Sequence, residues 1–286
     1  MRVSVVLTTY NRASVLARTI EEILNQTLSD FELIVTDDCS ADATTEIVRA
    51  YEKRDSRVRY RRNERNLGMP GNLNAGIAEA RGEYVANLHD GDLHAGDLLE
   101  KWAAALDDCP RAAFVFNAYR VIEGDGRSVA VYREDLAPCQ PGSRLLTDVI
   151  FRRWRFDSPV RGTVMARRAV YRDLGPFQAR FGFCSDVDMW MRMANAYHVA
   201  YVNEPLIIVP DVKALPRQID VNHYESQRLV ERMFWEGRQR HFQGHRVRMA
   251  VESGRHLLHV AGARGVALAA HARQGLRFLW KDNGPR

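Results

Sequence analysis

Two aspartates one residue apart close an apolar run in the stretch Tyr84-Val85-Ala86-Asn87-Leu88-His89-Asp90-Gly91-Asp92. In extended or tightly turned backbone, residues i and i+2 point the same way, so Asp90 and Asp92 can converge. Carboxylates brought together repel each other unless a cation or strong donors sit between them. Open α/β sheets take their ligands at the carboxyl ends of strands. The pair therefore reads as a site for a divalent cation and an anionic ligand. The plainer alternative is a turn rich in Asp and Gly.

The elements that must position this pair follow from periodicity. Val3 to Leu7 is apolar and β-branched, a buried strand, and Leu16, Ile20, Ile23 and Leu24 then recur at helical spacing. Phe31 to Val35 is a second strand ending in Thr36-Asp37-Asp38-Cys39-Ser40, after which Asp42 can cap a helix bearing Ile47, Val48 and Tyr51. Val58 to Tyr60 is a third strand, Asn63 to Gly71 a polar loop, and Leu73, Ile77 and Ala80 a helix. Glu83 to Leu88 is the strand that delivers the two aspartates. Strands alternating with helices predict an α/β fold with a doubly wound, mostly parallel sheet and right-handed crossovers.

Beyond helix 95–107 the pattern changes. Strands are expected at 113–116, 129–132, 163–165, 199–202 and 206–209. Helices are expected at 145–151, 167–174 and 186–196, the last with Val187, Trp190, Met191 and Ala194 on one face. From Asn222 onward the reading is helical, with stripes at Leu229, Met233 and Phe234, at Leu257, Leu258 and Val260, and at Leu276, Phe278, Leu279 and Trp280.

The chain has 286 residues and a net charge of +5, unevenly spread. From Arg228 to the end twelve Lys and Arg face four acids, so the remainder is slightly acidic. A basic end suits acidic partners such as anionic lipid or a polyanionic glycan. The C-terminal helices can pack on the core with solvated basic faces or lie on a membrane surface, and packing is the commoner use of such helices. No stretch approaches the ~20 apolar residues of a membrane span, and Val3 to Leu7 is too short for a secretory leader. The four cysteines, Cys39, Cys109, Cys139 and Cys184, show no paired spacing. They argue against a zinc site or a disulfide framework and for a reducing cytoplasm.

Absence narrows the chemistry further. The turn after the first strand, Leu7-Thr8-Thr9-Tyr10-Asn11-Arg12, holds no glycine. A dinucleotide-binding Rossmann turn and a P-loop both need glycine there for close approach of phosphate. A sugar nucleotidyltransferase is disfavoured for the same reason. If this sheet binds a nucleotide, a cation or side chains must hold the diphosphate, and Asp90 and Asp92 are the residues placed to do so.

Five ordered stretches together resemble the family 2 glycosyltransferases, which have the GT-A fold. They are Val3-Ser4-Val5-Val6-Leu7-Thr8-Thr9-Tyr10-Asn11-Arg12, Phe31 to Ser40, Ala80-Arg81-Gly82-Glu83-Tyr84-Val85, His89-Asp90-Gly91-Asp92, and Ser185-Asp186-Val187-Asp188-Met189-Trp190-Met191-Arg192. The resemblance spans about residues 1–210. It implies a catalytic domain over 1–215, with a nucleotide-binding half at 1–110 and an acceptor-binding half at 111–215. Residues 216–286 form a helical extension.

By this resemblance Asp38 accepts the imide N–H of uracil or thymine, where the alternative is a helix cap. Thr8, Tyr10, Arg12, Asn72 and Asp90 line the nucleotide site. Asp92 is the metal ligand, supported by Asp90, and His223 is a candidate third ligand. Asp186 is the general base of an inverting transfer, with Asp188 and Trp190 beside it toward the acceptor, although Trp190 suits a core position better. Two departures stand out: His89 precedes Asp-Gly-Asp in place of the common Asp-x-Asp-Asp, and Ser185 replaces a Glu. The expected activity is metal-assisted sugar transfer from a UDP- or dTDP-sugar to a hydroxyl of a glycan, lipid-linked glycan or natural product, with no nucleic-acid partner. A non-catalytic nucleotide-sugar-binding or scaffold protein of the same fold is the other reading.

Overall fold

Val3, Val5, Val6 and Leu7 have no solvent exposure on either face of their strand, so β1 (Val3–Thr9) must be central. In the computed structural model it is. The structure describes residues 1–123, 126–151, 160, 162–210 and 224–243. Parallel ladders join β1 to β2 (Phe31–Asp37) and to β4 (Tyr84–His89), and β2 to the edge strand β3 (Val58–Arg62). The connecting helices are α1 (Ala13–Leu24), α2 (Thr44–Arg54) and α3 (Gly68–Glu79). Leu16, Ile20 and Ile23 form the buried stripe of α1, as their spacing requires. The loop expected at 63–71 is shorter, because α3 already starts at Gly68, where φ is +73° and Asn66 Oδ1 takes the Gly68 N–H at 2.9 Å.

After β4 come the two-residue β5 (Leu93–His94) and α4 (Leu98–Asp108), then β6 (Ala112–Ile122), β7 (Ser128–Tyr132), β8 (Cys139–Pro141) and the short α5 (Gly142–Arg144). A wide helical turn over Leu145–Ile150 leads on to β9 (Val164–Arg167), α6 (Arg168–Leu174), α7 (Ser185–Ala196), β10 (His198–Pro210) and α8 (Tyr224–His241). The sheet order is β3-β2-β1-β4-β9-β6-β10-β5, with β7 on β6 and β8 on β10. In the interior of the sheet β9 runs antiparallel to both β4 and β6, and at its margins β5, β7 and β8 also pair antiparallel. The two halves expected from sequence therefore share a single sheet, and β9, from the second half, is the seam.

Two late strands were expected at 199–202 and 206–209. They are one strand, β10, parallel to β6 and irregular on both sides of Pro205. Proline lacks the N–H that the ladder needs, and a bulge absorbs the gap without ending the strand.

The first compact unit runs from Met1 to Gly237, past the boundary expected at 215. Arg180 pairs with Glu236 at 2.7 and 3.1 Å, and Gly237 sits so close to Met191 that a Cβ there would lie 2.7 Å from its sulfur. These contacts hold α8 to the unit at Glu236 and Gly237. The remaining unit, Arg238–Arg286, falls mostly outside the described residues, and so do the stripes at 257–260 and 276–280. Among the described residues, no helix is long and apolar enough to cross a membrane.

The cysteine reading is corrected. Cys109, at the end of α4, and Cys139, on β8, are joined by a disulfide with Cα atoms 5.7 Å apart. Thirty residues separate them, so no local spacing revealed the pair. The inference of a reducing compartment loses the support it took from unpaired cysteines.

Candidate active site

The first turn is tight without glycine because Asn11 adopts φ +53°, a left-handed conformation that Asn tolerates better than most residues. Its N–H donates to Ser40 Oγ at 2.8 Å, and its Oδ1 accepts the Ala41 N–H at 2.8 Å. The ends of β1 and β2 are thereby tied together. Strand alternation puts Thr8 and Thr9 on opposite faces. Thr9 is the buried one, and its hydroxyl donates to Asp90 Oδ2 at 2.8 Å. Sequence reasoning named Thr8 and missed Thr9. Tyr10 is 44% exposed at the mouth of the turn.

Arg12 folds over the acidic turn. Its Nε lies 3.7 Å from Asp90 Oδ1 and is buried without a hydrogen-bond partner. Its Nη2 would come within 2.9 Å of a Cβ on Gly91, whose φ of +99° also requires glycine. Burial raises the Asp90 carboxyl above its ordinary range, and the nearby Asp92 charge adds to this. The Thr9 bond and the charges of Arg12 and His89 work in the opposite direction.

Asp92 is 8% exposed, and its Oδ2 is buried with no partner. An orphaned carboxylate oxygen beside a second carboxylate fits a hard divalent cation, whose preferred donors are oxygens. Among the described residues no third His, Cys, Asp or Glu completes a cluster. A cation here would take at most two carboxylates from the described chain and the rest of its oxygens from phosphate and water, a pattern usual for Mg2+. His223 lies outside the described residues.

Asp38 is 3% exposed at the end of β2. Its Oδ1 accepts the Leu67 N–H at 2.8 Å and Asn63 Nδ2 at 3.0 Å, whereas among the described residues Oδ2 has no hydrogen-bond donor. The N-cap of α2 is Ala43 and not Asp42, which stands one residue earlier and accepts Thr44 N–H at 3.1 Å and Ala13 N–H at 2.9 Å. Asn72, expected at the nucleotide, is 2% exposed inside α3, with both ends of its amide committed. Its Oδ1 takes Asn63 Nδ2 at 2.9 Å and its Nδ2 donates to Thr36 O at 2.9 Å. Asn72 therefore reaches the site through Asn63 and Asp38, and through the Thr9 carbonyl that its Nδ2 meets at 3.5 Å. Asn63 had not been singled out.

Asp186 sits in the first turn of α7, half-buried, its Oδ1 accepting the Val187 N–H at 2.7 Å. Burial pushes the neighbouring Cys184 thiol up to about 12, helped by the Asp186 charge, so that sulfur stays protonated and is no nucleophile. Asp188 and Trp190 correct the acceptor assignment. Asp188 has no exposure and pairs with Arg192 at 2.9 Å, whose guanidinium also donates to Leu174 O and Pro176 O. Trp190 is equally buried, its ring 5.4 Å from Phe114 and 5.7 Å from Phe177. Both residues hold α7 in place.

The family model for glycosyl transferase family 2 matches residues 4–175, from β1 through α6. EpsE of Bacillus subtilis (strain 168) is 31% identical over 195 residues, 67% of this chain and 66% of EpsE. The GalNAc(5)-diNAcBac-PP-undecaprenol beta-1,3-glucosyltransferase of Campylobacter jejuni is 40% identical over 92 residues, 32% of this chain and 30% of that protein. The chain thus spans less than two thirds of the length of either relative. Among solved structures, residues 1–349 of S. aureus TarS in complex with UDP superpose with a TM-score of 0.65 at 21% identity. That alignment covers 84% of this chain and 66% of the 1–349 fragment and shows the same GT-A fold. The family match runs through the strands that carry Asp38, Asp90 and Asp92, and on this ground the chain belongs to glycosyl transferase family 2.

Proposed function

We propose that the chain is an inverting, metal-assisted glycosyltransferase that moves a sugar from a UDP- or dTDP-linked donor to an acceptor hydroxyl. The observation that carries this reading is the buried, partnerless Oδ2 of Asp92 beside Asp90, at the end of a strand whose neighbouring turn lacks a glycine phosphate cradle. The complex of TarS with UDP and the lipid-linked glycan in the name of the Campylobacter relative support a nucleotide-sugar donor and a glycan or lipid-linked acceptor.

The residues divide the work. The free Oδ2 of Asp38 accepts the imide N–H of the base, while Oδ1 stays fixed on Asn63 and Leu67. Tyr10, Thr8 and Arg12 line the nucleotide side, and Thr9 and Arg12 orient Asp90. Asp92 and Asp90 would hold Mn2+ or Mg2+, which when bound neutralises the departing nucleoside diphosphate. Asp186 takes the proton of the acceptor hydroxyl as that oxygen attacks the anomeric carbon on the face opposite the leaving group. One displacement inverts the configuration.

The test is nucleotide release from a panel of UDP- and dTDP-sugars with Mn2+. UDP or dTDP should be released from at least one donor, and Asp92→Ala should reduce the rate at least about a hundredfold, the scale set by losing one stabiliser of transition-state charge. No release from any donor, or an undiminished rate in Asp92→Ala, would overturn the proposal.

A further inference from the structure

The ladder between β4 and β9 pairs Tyr84 with Arg167 and Asn87 with Val164. Carried two residues further, the same antiparallel register sets His89 opposite Gly162. The space around Gly162 bears this out. A Cβ built there would collide with the His89 ring, lying 2.8 Å from its Nε2, and would lie 3.1 Å from Asp186 Oδ2. An imidazole from the acidic strand end and the carboxylate at the start of α7 thus close on one point of backbone. Gly162 is not among the glycines with positive φ, so its conformation does not demand glycine. Space is what demands it.

Building on the transferase reading, we propose that His89 is a positioning residue for Asp186 and that Gly162 is glycine so that the two can meet. His89 is also next to Asp90 in the chain. It stands between the carboxylates assigned to the donor and the carboxylate assigned to the acceptor. Its place before Asp-Gly-Asp, which looked like a departure from the family pattern, becomes the link between the two sides of the reaction. A histidine folded over a cross-strand glycine can also be plain packing. The two uses differ in what the pair controls.

The experiment is a double-mutant cycle on the full chain with Gly162→Ala and His89→Ala, following kcat, KM for the donor and UDP affinity, together with the imidazole NMR signals of His89. The new methyl of Gly162→Ala meets the movable end of the His89 side chain, so the ring turns away and the fold survives. Gly162→Ala should lower kcat about tenfold to a hundredfold, the range expected from a misplacement of about 1 Å. UDP affinity should change less than about twofold. In the His89→Ala background the same substitution should cost less than about threefold, because the ring it displaces is gone, and such non-additivity marks residues in contact. The His89 signals should move in both Gly162→Ala and Asp186→Asn. Equal cost of Gly162→Ala in both backgrounds would overturn the proposal, as would full activity of that variant. If wild type turns over no donor, the transferase reading fails. The NMR arm then stands alone, and His89 signals unmoved by Asp186→Asn would refute the pairing by themselves.

Discussion

Asp38 and Asp186 carry separable predictions, because one is assigned to binding and the other to proton removal. Asp38→Asn should weaken UDP binding about tenfold to a hundredfold by calorimetry, the worth of a hydrogen bond to a charged acceptor. If Asp38 only braced Leu67 and Asn63, the variant would melt lower and bind UDP as before. Asp186→Asn should lower transfer about a hundredfold to ten-thousandfold while leaving UDP affinity within about twofold, as removal of a general base does. Loss of UDP binding in this variant would place Asp186 on the donor side. At this scale the sequence places the acidic residues at strand ends, where the structure also has Asp38 and Asp90, because residue type and the end of an apolar run are both local signals. It was less informative about their supports. Thr8 and Thr9 are the same residue type side by side, and only the register of β1 says which hydroxyl faces Asp90. Asn72 and Asp188 have the composition of ligands, and burial shows them to be braces.

At the scale of elements, the position of β4 depends on a polar knot at the opposite end of the sheet. Ser4 Oγ donates to Glu32 Oε1 at 2.6 Å and accepts the N–H groups of Arg81 and Gly82 at 3.0 and 2.8 Å. Arg59 donates to Glu32 Oε2 at 2.8 Å. A Cβ on Gly82 would lie 2.5 Å from Ser4 N, so Gly82→Ala cannot be absorbed by moving a side chain and should cost about 2 kcal/mol or more in chemical unfolding. Burial would raise the Glu32 carboxyl, but the bonds from Ser4, Arg59 and Arg81 outweigh it and hold the group below its ordinary value. A depressed carboxyl contributes stability above its unfolded pKa of about 4.3 and loses it as pH falls through the lower folded value. Glu32→Gln should therefore be less stable than wild type at pH 7 by about 2 kcal/mol. The gap should narrow below pH about 4, and a gap independent of pH would show that Glu32 is not ionised in the fold. The strands β1, β2 and β4 were legible because each is mostly apolar and buried along nearly its whole length, whereas β3 buries only Val58. The insertion of β9 between β4 and β6 was not, since antiparallel pairing across eighty residues leaves no local pattern.

At the scale of the molecule, the disulfide tests how the second half is held. β8 is three residues long and pairs only with β10, which is little anchorage for a segment bridging β7 and α5. The Cys109–Cys139 bond ties it to the end of α4 and closes a loop of 30 residues. Loop-closure entropy for that length is worth about 3.5 kcal/mol in the chain-entropy model, with the mechanism dependent on the model used. Cys139→Ser, or reduction of wild type, should lower the melting temperature by roughly 10 °C for a chain of this size. UDP affinity should be nearly unchanged, because Asp38, Asp90 and Asp92 are carried by strands β2 and β4 and the turn that follows, away from β8. Cys39 and Cys184 remain free, and Cys184 is buried, so alkylation of the native, unreduced protein should label Cys39 and leave Cys109 and Cys139 untouched. Rapid labelling of Cys139 in the native protein, with equal melting temperatures for oxidised and reduced samples, would show that the cysteines are apart in solution and that β8 is held by its ladder alone.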